Sequence, residues 1–208
     1  LLVSVRLGWS HGDQEIFTRE EMVSLFDIKD VNRAAATFDT DKLAWLNQHY
    51  IKSVAPSDLS KALSEHLAEE GVSVAGGPDV GAVAALQRDR AKTLREMAEG
   101  SRYFYEDFSE YEGNSAQKHL RPVVREPLAD LRGRLAGLTT WEAAAIQAAV
   151  EGAAETAGIK IGKLGQPLRV AVCGRGMSPP FDETLALVGQ ARTLARIAYR
   201  KFKTTSHR

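Results

Sequence analysis

The chain has 208 residues, 44% hydrophobic and 26% charged, which excludes a disordered chain and allows one or two cores at about 100–200 residues each. Its 27 basic and 27 acidic residues cancel, yet residues 159–208 hold ten Lys/Arg against Asp182 and Glu183, so +8 sits there and −8 on residues 1–158. The lone cysteine, Cys173, excludes an internal disulfide and a cysteine-rich zinc site, and it points to a reducing, cytoplasmic setting.

The opening Leu1-Leu2-Val3-Ser4-Val5 is apolar but too short for a signal sequence, and it lacks a basic start. No apolar run approaches the ~20 residues of a membrane span. With no initiator methionine, the chain reads as a fragment that begins inside an element. A Gly8–Gly12 turn precedes a short helix, where Thr18 and Glu21 have the spacing of a capping box. Met22, Leu25 and Phe26 form its apolar face. Asp39 or Thr40 caps the next helix, with Leu43, Trp45, Leu46 and Tyr50 at helical spacing. Trp45 is expected to pack rather than to stack on a base, and His49 has no partner at metal-ligand spacing.

Pro56-Ser57-Asp58 starts a third helix with Leu59, Leu63, His66 and Leu67 on one side. Residues 71–78 read as a loop. Asp79 then caps a longer helix running to about Ala98. On it Val83, Leu86, Leu94 and Met97 share a face, and Arg90 falls in the middle of that stripe. An unpaired guanidinium in a core is costly. Either Arg90 snorkels or pairs with Asp89 or Glu96, or the stripe ends at an opening where its planar fork meets a ligand. Arg88, Lys92, Arg95 and Arg102 surround it as candidate phosphate contacts.

Tyr103 to Gly113 mixes aromatic and acidic residues, a composition that suits a packed connector better than a base-stacking platform. Asn114 or Ser115 caps a helix limited by Pro122 and Pro127. Thr139-Thr140-Trp141-Glu142 reads as a capping box for an alanine-rich helix ending at Gly158. In the basic C-terminal region, Gly162 and Gly165 read as turns, and Pro167 as the first residue of a helix. Gly174-Arg175-Gly176-Met177 is a loop. Ser178-Pro179 reads as the cap and first residue of the last helix, whose free N–H groups can meet an anion or a base. Pro179-Pro180-Phe181 as a stiff loop is the other reading. Arg192, Arg196 and Arg200 stripe one face at i, i+4 spacing.

No strand pattern appears beyond the first residues, so the chain is expected to be all-α. No Walker loop, paired carboxylates or nucleophilic constellation is evident, and Cys173 beside Arg175 is weak ground for a thiol enzyme. The charge asymmetry favours a polyanion, nucleic acid first. A helical protein-interaction module with a basic docking surface is the alternative.

Four blocks give a closer resemblance: Arg6-Leu7-Gly8-Trp9-Ser10; Phe38-Asp39 with Lys42-Leu43, Trp45, Asn47 and Tyr50-Ile51; Lys163 through Gln166-Pro167-Leu168-Arg169; and Phe181 to Gly189 around Leu185-Ala186-Leu187. In order and spacing, over essentially the whole chain, it resembles the C-terminal part of a bacterial glutamyl-tRNA synthetase, a class I aminoacyl-tRNA synthetase. The resemblance implies the end of a stem-contact domain over residues 1–55. Two helical anticodon-binding subdomains over 56–105 and 106–208 would follow. The family's catalytic half would lie upstream. Neither its His-x-Gly-His nor its Lys-x-Ser-Lys motif occurs here, so ATP and Mg²⁺ would belong to that half and this chain alone would be inactive.

The implied partner is tRNA(Glu), with neither DNA nor membrane, and the implied parent is a cytoplasmic monomer. Arg90 matches the family arginine that reads the third anticodon base. Ser178, Pro179, Pro180 and Phe181 match the segment that meets the first anticodon bases. Arg88, Lys92, Arg95, Lys160, Lys163, Arg169 and Arg175 are the expected backbone contacts, with core anchoring an equal reading for Arg169.

Overall fold

The structure is a computed structural model and describes residues 9, 11, 12, 14, 16–31 and 39–198. Leu1 to Gly8, Ser10, Phe38 and Arg200, used above, lie outside the described residues. Among those described there are eleven α-helices and two 3₁₀ turns, and no strand, as the sequence led us to expect. They fall into two compact units, Leu1–His49 and Tyr50–Arg208.

In the first unit, α1 (Arg19–Leu25) starts with the expected capping box. Thr18 accepts from the Glu21 N–H at 3.1 Å, and Glu21 accepts from the Thr18 N–H at 2.6 Å. Trp9 and Phe17 are buried against each other, with ring centroids 5.5 Å apart. Asp39 caps α2 (Thr40–Ser53) by accepting from the Asp41 and Lys42 N–H groups. Trp45 departs from its expected packing role: it is 47% exposed and stacks on His49 one turn later.

The second unit continues with α3 (Pro56–Glu69), α4 (Val80–Gln87), α5 (Leu94–Tyr105), α6 (Ser115–His119), α7 (Arg125–Ala136), α8 (Ala143–Thr156), α9 (Ile161–Cys173), α10 (Phe181–Val188) and α11 (Gln190–Ala198). One apolar cluster runs through it, from Ile51 and the Leu59, Leu63, Leu67 face of α3 to Leu185, Val188 and Ile197. Phe104, Leu128, Leu131, Leu135, Ile146, Leu164 and Leu168 are fully buried. Each contributes about 1.5–3 kcal/mol, which is the main term holding these short helices in place.

Four expected boundaries shift. The helix expected from Asp79 to Ala98 is two helices. Thr93 accepts from the Glu96 N–H at 3.0 Å and Glu96 accepts from the Lys92 N–H at 2.9 Å, so a new cap opens α5. Pro167 lies inside α9, not at its start. There its ring, with Leu164, Leu168 and Val170, is buried, and that packing offsets the ~3 kcal/mol an interior proline costs. α8 begins at Ala143 after Glu142, with no side-chain cap, and Trp141 just before it donates to the Leu185 carbonyl. The last helix is broken at Gly189, whose φ of 85° only glycine adopts readily.

Arg192 and Arg196 do not form an outward stripe. Arg192 donates to the Phe104 carbonyl, and Arg196, 7% exposed, donates to the Val172 and Glu106 carbonyls at 2.7 Å each. Arg196 also pairs with Asp107 at 3.1 Å and lies over the Phe108 ring. Both close the C-terminal end of α5, where unsatisfied carbonyls attract cations.

Candidate nucleic-acid interface

The break between α4 and α5 exposes Arg90 on a turn instead of placing it in an apolar stripe. Its guanidinium has no ion pair among the described residues. It lines an opening of about 630 Å³ whose other wall is the 174–178 loop, with Arg175, Met177 and Ser178. Arg90 and Ser178, 88 residues apart in the chain and both singled out for RNA by the sequence, thus meet at one opening.

That loop is built by hydrogen bonds from below. α9 ends at Gly174, where φ is 75° and a β-carbon would stand 2.9 Å from the Phe108 ring. On α9, Arg169 donates through Nε to the Ser178 hydroxyl at 2.8 Å and through Nη1 to Gln166 Oε1 at 2.8 Å. Gln166 Nε2 donates in turn to the Gly176 carbonyl at 2.7 Å, and the Ser178 hydroxyl donates to the Pro179 carbonyl at 2.9 Å. Arg169 is therefore occupied in shaping the loop. Ser178 and Pro179 are buried, Pro180 is exposed, and Met177 is 71% exposed at the tip.

α10 starts two residues later than expected, at Phe181. Ser178 does not cap it, and Pro180 occupies the cap position without a side-chain bond. The Phe181 ring lies against Gly165, within 3.4 Å of where a β-carbon would be, which explains a glycine inside α9 rather than in a turn.

From the side facing α5, the 106–112 connector clasps the same loop. The Glu112 N–H donates to the Gly174 carbonyl at 2.9 Å. The Glu112 carboxylate takes Arg175 Nη2 at 2.8 Å and Nε at 3.5 Å. The Arg175 hydrogen bond holds the Glu112 carboxyl below the usual glutamate range. Sequence reading missed Glu112, Gln166 and Gln87. Gln87 is buried and donates to the Gly100 carbonyl at 2.8 Å, fastening the turn that carries Arg90 to α5.

The expected backbone contacts divide. Arg88 is turned inward, donating to the Val54 carbonyl at 2.6 Å with its Nε buried. Lys92 is exposed beside the Arg90 turn, and Arg95 is exposed on α5 next to Glu99 and Glu70. Lys160 and Lys163 lie elsewhere, on the rim of a cleft of about 1100 Å³ that also presents Lys118, His119 and Arg121. Burial, with Lys118 and Arg121 alongside, keeps His119 below the ordinary imidazole range. Gln166 touches both this cleft and the Gly176 loop.

Cys173 is the chain's one thiol. It is buried, and burial pushes its thiol up to about 11. Among the described residues no group of three or more His, Cys, Asp or Glu could hold a metal ion, and no helix is long and apolar enough to cross a membrane.

The family model described as the anticodon binding domain matches residues 39–200. The chain belongs to the anticodon-binding domain family. This anticodon-binding chain is 53% identical over 193 residues to glutamate–tRNA ligase 1 of Nitrosococcus oceani, across 93% of its own length and 41% of that protein's. It therefore spans less than half of that relative. Its fold matches the crystal structure of a glutamate tRNA ligase from Elizabethkingia meningosepticum in complex with its amino acid, with a TM-score of 0.81 and 25% identity over 92% of this chain and 38% of that one. A glutamate-tRNA synthetase of Elizabethkingia anophelis matches with a TM-score of 0.77, at the same identity and coverage.

Proposed function

We propose that this chain is the anticodon-reading part of a glutamate–tRNA ligase, which attaches glutamate to tRNA(Glu) through an ATP-dependent glutamyl-adenylate. No residue described here is assigned to the adenylate chemistry, its ATP or its Mg²⁺. The observation that carries the reading is the shared opening of Arg90 and the Ser178 loop. A guanidinium on a turn, exposed and without an ion pair among the described residues, offers a planar set of donors suited to a base edge.

In this reading Arg90 contacts the third anticodon base. The Ser178–Phe181 segment meets the first anticodon bases, with Ser178 and Phe181 shaping the surface and Pro180 presenting it. Lys92, Arg95, Lys160 and Lys163, joined by Lys118 and Arg121, supply phosphate contacts. Arg169 acts by holding the loop. Residues 1–55 close a stem-contact domain, and 56–105 and 106–208 form two anticodon-binding subdomains. The parent ligase is a cytoplasmic monomer that binds no DNA and no membrane. The alternative of a basic docking surface for an acidic protein loses support, since Arg192, Arg196 and Arg169 direct their charge into the fold.

The test is direct binding of the chain to two RNAs, the anticodon stem-loop and the acceptor-stem hairpin of glutamate tRNA. Binding to the stem-loop alone, falling steeply with salt, is expected. Equal binding to both RNAs, or to neither, overturns the reading.

A further inference from the structure

The opening that holds Arg90 is not basic. Asp89, Glu96, Glu99 and Glu112 line it together with Arg90 and Arg175, four carboxylates to two guanidinium groups, with Lys52 and Arg95 pairing to Asp89 and Glu99 from outside the lining. A phosphate entering there would meet the four carboxylates as well as the two guanidinium groups, and low-dielectric walls strengthen its repulsion from the carboxylates. An uncharged base edge meets no such penalty. Its ring nitrogens and carbonyls accept from guanidinium groups, and its exocyclic amines donate to carboxylates.

Arg175 is prepared for such a ligand. Glu112 takes its Nε and Nη2, which fixes the plane and direction of the guanidinium. The remaining nitrogen, Nη1, lies against Gly100, 3.4 Å from where a β-carbon would stand, and has no acceptor among the described residues. Gly100 is itself held by Gln87, whose amide donates to its carbonyl. One edge of the fork is thus tied to protein, and the other is presented from the wall formed by the 174–178 loop. Arg90 reaches the same space from the α4–α5 turn.

We propose that Arg175 is a second base-reading arginine, oriented by Glu112, and that this opening takes a nucleobase edge rather than a phosphate. The proposal rests on the RNA-binding reading above and departs from the expectation that Arg175 contacts the backbone. Glu112 is a positioning residue, acting through Arg175.

The experiment measures binding of the 208-residue chain to the glutamate anticodon stem-loop and to its single-base variants over a salt series. Arg175→Ala, Arg175→Lys and Glu112→Gln are compared with wild type. The Ala and Lys variants should each lose about tenfold in discrimination at one loop position, with the salt slope unchanged, because a lysine cannot reproduce the fork. Glu112→Gln should lose part of the same discrimination at the same position. A uniform loss on all sequences with a salt slope smaller by about one, restored by lysine, would mark a phosphate contact and overturn the proposal. Should wild type fail to tell the glutamate stem-loop from an unrelated hairpin, the RNA-binding reading itself fails, and this result is seen before any variant is made.

Discussion

Arg169 Nε donates to the Ser178 hydroxyl at 2.8 Å, and this bond sets the shape of the loop that meets Arg90. Arg169 comes from the middle of α9, where burial of the helix's other face fixes it. Arg169→Ala removes donors to both Ser178 and Gln166. It should cost about 1–3 kcal/mol in urea unfolding and weaken stem-loop binding about tenfold. Arg169→Lys should restore little of the binding, since one ammonium cannot span both acceptors in a planar fork.

Arg196 links the end of α5 to the end of α9 by donating to the Glu106 and Val172 carbonyls. Arg196→Ala leaves both of these acceptors without their partner. Stability should fall by about 2–4 kcal/mol, read as a lower midpoint in urea. Discrimination among anticodon sequences, measured where the variant is folded, should be unchanged, which separates this arginine from Arg90.

The chain should lose stability in alkali. Burial pushes the Cys173 thiol up to about 11 and the Tyr105 hydroxyl up to about 12, and it raises Tyr103 as well. A raised folded value means that the neutral form is favoured in the fold. That stability is fully present below the unfolded thiol value of about 8.5 and is lost as pH rises through about 11. Thermal unfolding from pH 8 to 11 should show the decline, and a Cys173→Ala variant should flatten its first part. A thiol reagent at pH 8 should leave Cys173 unmodified until the chain is unfolded.

Much of this fold was legible because its signals are local. The Thr18 capping box, the Asp79 cap and the Leu59, Leu63, Leu67 face each depend on residues within one or two turns. Arg90 was singled out for a reason the structure replaces. The apolar period running through it belongs to two helices, and Thr93 with Glu96, a capping pair in plain view, was overlooked. Pro167 and Gly165 read as punctuation because proline and glycine usually are. Burial of Pro167 and the Phe181 ring against Gly165 are tertiary effects that no window of sequence carries.

The helical spacing of Arg192 and Arg196 misled for a related reason. Net charge counts side chains and says nothing of where they point, and three arginines of the C-terminal region satisfy buried or loop acceptors. Glu112 went unnoticed because its partner, Arg175, stands 63 residues away.

The most direct measurement compares Arg90→Ala with wild type on two stem-loops that differ only in the third anticodon base, glutamate against glutamine. Wild type should prefer the glutamate loop, and Arg90→Ala should lose about tenfold or more of that preference while keeping most of its salt-dependent affinity. An equal loss on both loops, with the preference intact, would contradict the role given to Arg90 and to the opening it lines.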